Sequence, residues 1–262
     1  MRCKAPWPFK EHLPVAIFFD LDDTLVDTAG QIVGPALEDA ADAMINAGLH
    51  VDRAELIGFL RGEARASRGA NYFAAAAERF GANSPSTVRS AVAAAGRTAF
   101  FSAAVPDLAP LPGSRRLLRQ LRQVGCRLFL ITAGKPSTQR QKLQRLGLSD
   151  EFDAVAFVDS LEGESKLPIF EEILDRFAIS PSACLCVGDR VVGEIRDANM
   201  LGIWTVRIRG GEFAAVEPSS PDEVPDSEVS SLHELAALLG IDSSGLDVTE
   251  SSRQQTGATW ES

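Results

Sequence analysis

No apolar run in the 262-residue sequence approaches the ~20 residues needed to span a bilayer. Positive charge is also scarce, with 26 Lys and Arg against 36 Asp and Glu and a net charge of −10. That balance excludes nucleic acid or an anionic membrane as the expected partner. Cysteine is limited to Cys3, Cys126, Cys184 and Cys186. A Cys-x-Cys pair with no neighbouring Cys or His makes no zinc motif, so Cys184 and Cys186 read as small buried hydrophobes on one side of a strand. Nothing demands disulfides, which fits a reducing compartment. Pro6, Pro8 and Glu11 interrupt any signal-peptide core near Arg2, Lys4 and Lys10. The expectation is a cytoplasmic protein.

What is present is a hydrophobic fraction of 45%, enough for a packed core, and one conspicuous acidic cluster. The run Val15-Ala16-Ile17-Phe18-Phe19 has strand character and ends in Asp20-Leu21-Asp22-Asp23-Thr24-Leu25. Side chains alternate along a strand. Asp20 and Asp22 would therefore share a face if the strand continued, or one pocket if a turn followed Asp20. Carboxylates this close repel unless a cation or a shared proton intervenes. The pattern points to a metal site, an acid–nucleophile pair, or both; a polar turn closing a strand is the plain alternative.

Residues 1–13 read as a leader. From 34 to 105 apolar residues recur at helical spacing, giving about four helices and no strand. From Pro110 the pattern alternates. Helices are expected over 114–124, 138–146, 169–177 and 194–200, and strands over 127–132, 154–158, 183–187 and 203–208. Repeated short apolar strands and amphipathic helices predict a Rossmann-like α/β core, a parallel sheet covered on both faces. The core comprises 14–33 and 106–241. Within it, 212–229 reads as an irregular arm and 231–239 as a last helix. The Ser-, Thr-, Gln- and Gly-rich segment 242–262 reads as a disordered tail. A helical block inserted after the first strand would lie over the carboxyl ends of the strands, where such sheets bind ligands. It is placed to act as a cap.

Three more polar clusters fall at expected strand ends. They are Thr132-Ala133-Gly134, Lys166, and Gly188-Asp189 with Glu194. Each has a plain alternative: Thr132 as a loop cap, Lys166 as a solvated lysine, Asp189 as a turn residue and Glu194 as a first-turn acid. In this order the set resembles the haloacid dehalogenase-like hydrolase superfamily, in its phosphatase branch with a helical cap after the first motif. The matching segments are 18–25, 130–134, Lys166, and 187–189 with Glu194-Ile195. The helix containing Gln141-Lys142-Leu143 is similar to one of that branch.

The resemblance implies that Asp20 attacks phosphorus to form an aspartyl-phosphate. It implies that Asp22 protonates the leaving oxygen and then activates water. Mg²⁺ would be held by the Asp20 carboxylate, the Asp22 carbonyl, Asp189 and, directly or through water, Glu194. Thr132 and backbone amides near Ala133 would hold phosphate oxygens, and Lys166 would neutralise charge. Leu167 stands where proline usually follows the lysine, Glu194 where Asp is common, and Asp197 where a small residue is common. The cap would set specificity, with Arg68 and Asn71 as candidate substrate contacts and Arg61 and Arg65 as a solvated face. The expected substrate is a small phosphorylated metabolite, and the state a monomer or homodimer. A phosphomutase shares every core residue, a haloacid dehalogenase has no use for Asp22, and a phosphorylation-controlled signalling module would carry its acceptor on a later strand.

Overall fold

The computed structural model describes residues 8–10, 12–66, 72–102, 107–159 and 165–244. One sheet of six parallel strands organises them: β1 (Ala16–Phe19), β2 (Arg127–Ala133), β3 (Ala154–Val158), β4 (Cys184–Gly188), β5 (Trp204–Ile208) and β6 (Ser227–Val229). Their spatial order is β3-β2-β1-β4-β5-β6. Strand β1 is central, with Phe18 paired to Phe129 on one side and Cys186 on the other. The chain builds outward from β1 in one direction and then, through β4, in the other. The crevice of such a sheet opens where that order reverses, at the carboxyl ends of β1 and β4.

Every residue of β1 is buried, because helices cover both faces. Ile17 and Phe19 join a cluster with Leu117 and Leu121 of α5 (Ser114–Gln123), Leu143 of α6 (Pro136–Leu146) and Leu235 of α9 (Leu232–Leu238). Ala16 and Phe18 face the other way, onto Phe170 and Ile173 of α7 (Leu167–Phe177) and Ala198 of α8 (Arg196–Leu201). The period of two along β1 is what sends alternate residues to different layers. Phe18 stacks on Phe129 at 5.2 Å and meets Phe170 edge-on at 5.0 Å. Cys184 and Cys186 share this second face, and burial pushes the Cys184 thiol up to about 12. They are packing groups.

Four helices lie between β1 and β2: α1 (Gly34–Asn46), α2 (Arg53–Ala66), α3 (Tyr72–Phe80) and α4 (Ser86–Ser102). They bury their own cluster, with Leu37, Met44, Leu56, Leu60, Phe73 and Val92 at its centre. Gly96 permits the close approach of α4 to α1, since a Cβ there would lie 2.7 Å from the Met44 side chain. A π-helical turn, Ala29–Val33, connects this block to the core. No helix among the described residues is long and apolar enough to cross a membrane.

One expectation is corrected. The arm 212–229 is not wholly irregular, because Ser227–Val229 adds β6 to the sheet edge against β5. Its sequence, Ser-Glu-Val, carries no apolar alternation, and only pairing with β5 makes it a strand. The leader contributes Phe9, which is buried edge-on against Trp204. Asp242 is tied to α5 through its carbonyl, which accepts from Gln120 Nε2.

Candidate active site

The acidic motif lies at the reversal point. Asp20 still pairs with β4, its N–H donating to Val187 O at 2.9 Å. The chain then turns sharply, and the N–H groups of Leu25 and Val26 return to Leu21 O. Asp23 takes a left-handed conformation, φ 55°, to close the turn. The turn separates the two carboxylates so that each meets a different lysine. Asp20 faces Lys166, at the start of α7, and Asp22 faces Lys142, on α6.

The Asp20 side is buried. Lys166 Nζ donates to Asp20 Oδ1 at 2.5 Å and to Glu194 Oε2 at 3.1 Å. Glu194 Oε1 accepts from Arg190 N–H at 2.8 Å, closing the loop after β4. Carboxylate oxygens of Asp20, Asp189 and Glu194 lie within 4.8 Å of one another. Asp189 Oδ1 is buried with no hydrogen-bond partner. Burial pushes the Asp20 carboxyl up to about 6 against the pull of Lys166, with Glu194 and Asp22 adding to the rise. Burial, Glu194 and Asp20 push Asp189 far up as well. Burial would raise Glu194 too, but Lys166 and Arg190 outweigh it and hold that carboxyl low. Burial would lower Lys166, but Asp20 and Glu194 hold its ammonium protonated.

Three buried carboxyl groups are thus gathered with one ammonium that bonds two of them, and Asp189 Oδ1 has no donor. Unpaired buried charge of this kind is costly. A hard divalent cation is what an all-oxygen set of this kind fits.

The departures at the lysine do not redirect it. Leu167 and Pro168 open α7, and proline in the first turn forfeits no helical bond. Asp197 Oδ2 accepts from Lys166 N–H at 3.0 Å and from Ser165 Oγ at 2.6 Å, anchoring the segment from which Lys166 reaches in.

The Asp22 side is more open, the side chain being 27% exposed. Asp22 Oδ1 accepts from Lys142 Nζ at 2.8 Å and from Thr28 Oγ1 at 2.5 Å. Asp22 Oδ2 accepts from Gln139 Nε2 at 2.7 Å. The same amide nitrogen lies 2.6 Å from Thr132 Oγ1 and 3.0 Å from Ala133 O at the end of β2. Thr132 is fully buried. Asp20, Lys166 and Glu194 thus form one bonded set with Asp189 beside it, and Asp22, Thr132 and Ala133 form a second through Gln139; the motif turn links the two. Arg68 and Asn71 lie outside the described residues. Arg61 forms an exposed ion pair with Glu38 at 2.9 Å. Both line a cleft of about 410 Å³ between the start of the helical block and Gly211-Glu212.

Comparison with known proteins decides the lineage. Residues 15–196 match the family model described as haloacid dehalogenase-like hydrolase. The chain is 36% identical over 228 residues to the glyceraldehyde 3-phosphate phosphatase of Methanopyrus kandleri, covering 84% of this chain and 94% of that protein. It is 31% identical to the enzyme of that name from Methanocaldococcus jannaschii, covering 85% and 96%. The crystal structure of a phosphatase of this family from Thermococcus onnurineus superposes with a TM-score of 0.55 at 22% identity, covering 89% and 99%. The chain is a haloacid dehalogenase-like hydrolase. It falls in the phosphatase branch, whose members hydrolyse phosphate esters.

Several polar residues of this haloacid dehalogenase-like hydrolase network escaped the sequence reading. Gln139 and Lys142 sit one helical turn apart on α6, a spacing that resembles an ordinary solvated face. Asp23 does more than close the turn. Its Oδ1 accepts from Ala29 N–H at 2.9 Å and its Oδ2 from Glu212 N–H at 3.1 Å. It thereby clips the turn leading to the helical block onto the arm after β5. Gly211, at φ 63°, is needed there, because a Cβ would lie 2.2 Å from the Asp23 carboxylate. Arg207 is fully buried in β5. It donates to Asp189 O at 3.2 Å and to Phe213 O at 2.7 Å, tying the loop after β4 to the arm. The one signal for it was a charge inside an apolar strand.

Proposed function

We propose that the protein is a Mg²⁺-dependent phosphatase that hydrolyses a small phosphorylated metabolite through an aspartyl-phosphate on Asp20. The observation carrying this reading is the buried set of Asp20, Asp189 and Glu194, of which Lys166 bonds Asp20 and Glu194 and one Asp189 oxygen is unpartnered. Asp20, Asp189 and Glu194, with the Asp22 carbonyl, would hold Mg²⁺, which supplies charge neutralisation for an anionic nucleophile meeting an anionic phosphate. Asp20 attacks phosphorus, and Lys166 keeps its carboxylate oriented and offsets the charge that accumulates. Asp22 gives a proton to the leaving oxygen and later takes one from the attacking water. Thr132 and the amides near Ala133 bind the phosphoryl oxygens. Residues 34–105 act as a cap over this centre and set specificity, with Arg68 and Asn71 as candidate contacts.

The named relatives suggest glyceraldehyde 3-phosphate as the first substrate to try. The test is phosphate release from that ester and from p-nitrophenyl phosphate, with and without EDTA, alongside Asp20→Asn. Activity that survives EDTA, or that Asp20→Asn leaves intact, sinks the mechanism. Interconversion of sugar phosphates without net phosphate release would mark a mutase instead.

A further inference from the structure

We infer that Lys142 and Gln139 are positioning residues for Asp22, so that α6 determines where the second acid of the motif points. The inference rests on the reading of Asp22 as proton donor and acceptor. It starts from an oddity of α6. This is a strongly polar helix, yet Gln139 and Lys142 are buried. They stand three residues apart and so share a face. Both turn inward to the same carboxylate, Lys142 on Oδ1 and Gln139 on Oδ2.

Burying an ammonium is expensive, and a buried ion pair returns little net stability compared with apolar side chains of the same size. A packing role for position 142 would be met better by leucine or methionine. The charge has a use only if the direction of the Asp22 carboxylate matters. Asp22 needs such a hold. It lies on a turn beyond the end of β1, and its side chain is 27% exposed. Without partners on α6 only Thr28 Oγ1, on Oδ1, would hold the carboxylate, and Oδ2 could turn into water.

Gln139 adds a second constraint. Its Nε2 has two protons and three acceptors in reach: Asp22 Oδ2, Thr132 Oγ1 and Ala133 O. One amide therefore fixes the separation between the acid and the end of β2, where the phosphoryl group would sit. Proton transfer to a leaving oxygen requires hydrogen-bond reach, and small misplacements are costly. Neither residue need touch the substrate for this effect.

The test compares two esters. Nitrophenolate leaves without help, whereas an alkoxide must be protonated as it departs. In the full-length protein, kcat/KM is measured for p-nitrophenyl phosphate and for the alkyl phosphate turned over best. Lys142→Met is expected to lower kcat/KM for the alkyl ester roughly 10- to 100-fold and that for the nitrophenyl ester less than about threefold. Lys142→Arg should recover most of the alkyl activity, and Gln139→Met should shift the ratio in the same direction. Asp22→Asn should show the same selectivity in stronger form. Equal losses on both esters in Lys142→Met would overturn the inference, because they indicate phosphate binding or general disruption. If thermal melting shows that Lys142→Met does not fold, Lys142→Gln takes its place and the same ratio decides. Selectivity in Asp22→Asn but not at position 142 sinks the positioning role alone. No selectivity in Asp22→Asn sinks the reading of Asp22 and the positioning role with it.

Discussion

The two halves of this molecule use charge in opposite ways. In the helical block, charges stay at the surface. Arg53 pairs with Asp42 and Arg61 with Glu38, all about half exposed, over a core built from Leu, Met, Ala and Phe. At the carboxyl ends of β1 and β4, charges go inside. Asp20, Lys166, Asp189 and Glu194 are each at most 5% exposed. Surface pairs contribute little to stability, while buried carboxylates with too few partners oppose folding. The block is arranged as a stable body, and the sheet end carries an electrostatic load that Lys166 offsets only in part.

That contrast can be broken by experiment. The largest effect is expected at the load itself: Asp20→Asn should lower kcat roughly 10⁴-fold or more. The same change should leave the thermal midpoint of the EDTA-treated protein unchanged or raised, because a buried charge is removed. Next come the apolar cores. Phe18→Ala opens a cavity between Phe129 and Phe170 and should cost about 3–5 kcal/mol in denaturant unfolding. Gly96→Ala forces α4 away from Met44 and should cost roughly 1–3 kcal/mol. In the second case kcat per folded molecule should hold.

A third measurement follows from the Asp20 carboxyl, pushed up by burial from 3.8 to about 6. Between those values the folded metal-free protein retains a proton that the unfolded chain has lost. Its stability must therefore fall as pH rises through that window and level off above it. Relative to Asp20→Asn in EDTA, the wild type should lose roughly 2 kcal/mol from pH 4 to pH 7, and saturating Mg²⁺ should flatten the slope. A rising difference would show that Lys166 outweighs burial. Smallest of all, Arg53→Ala on the block surface should scarcely move the melting temperature.

Much of the core was legible because its signals are local. Phe18 and Ile131 sit in apolar runs of strand length, and Leu117, Leu121, Ile173 and Leu174 recur at helical spacing. Asp20 and Asp189 were legible because they follow strand runs directly, and Lys166 because it precedes a helix at its place in the same order. Lys142 and Gln139 were not, since their partner Asp22 is more than a hundred positions away and their own helix looks solvated. The clip made by Asp23 was hidden for the same reason: Glu212 reaches it only after β5 has been laid beside β4. The strand Ser227–Val229 owes its conformation to a neighbour rather than to its composition. The candidate cap contacts Arg68 and Asn71 fall outside the described residues.

The central position of β1 has a consequence for how the chain comes together. The helical block draws its apolar contacts from residues close in sequence, from Leu37 to Phe100. It can therefore condense early, since short loops close at small entropic cost. Strand β1 must wait, because Phe18 needs Cys186 of β4. During synthesis the block has all its partners while Asp20 still lacks Asp189, Glu194 and Lys166. The mutually repelling carboxylates are thus gathered only at the last stage, when the surrounding sheet can hold them.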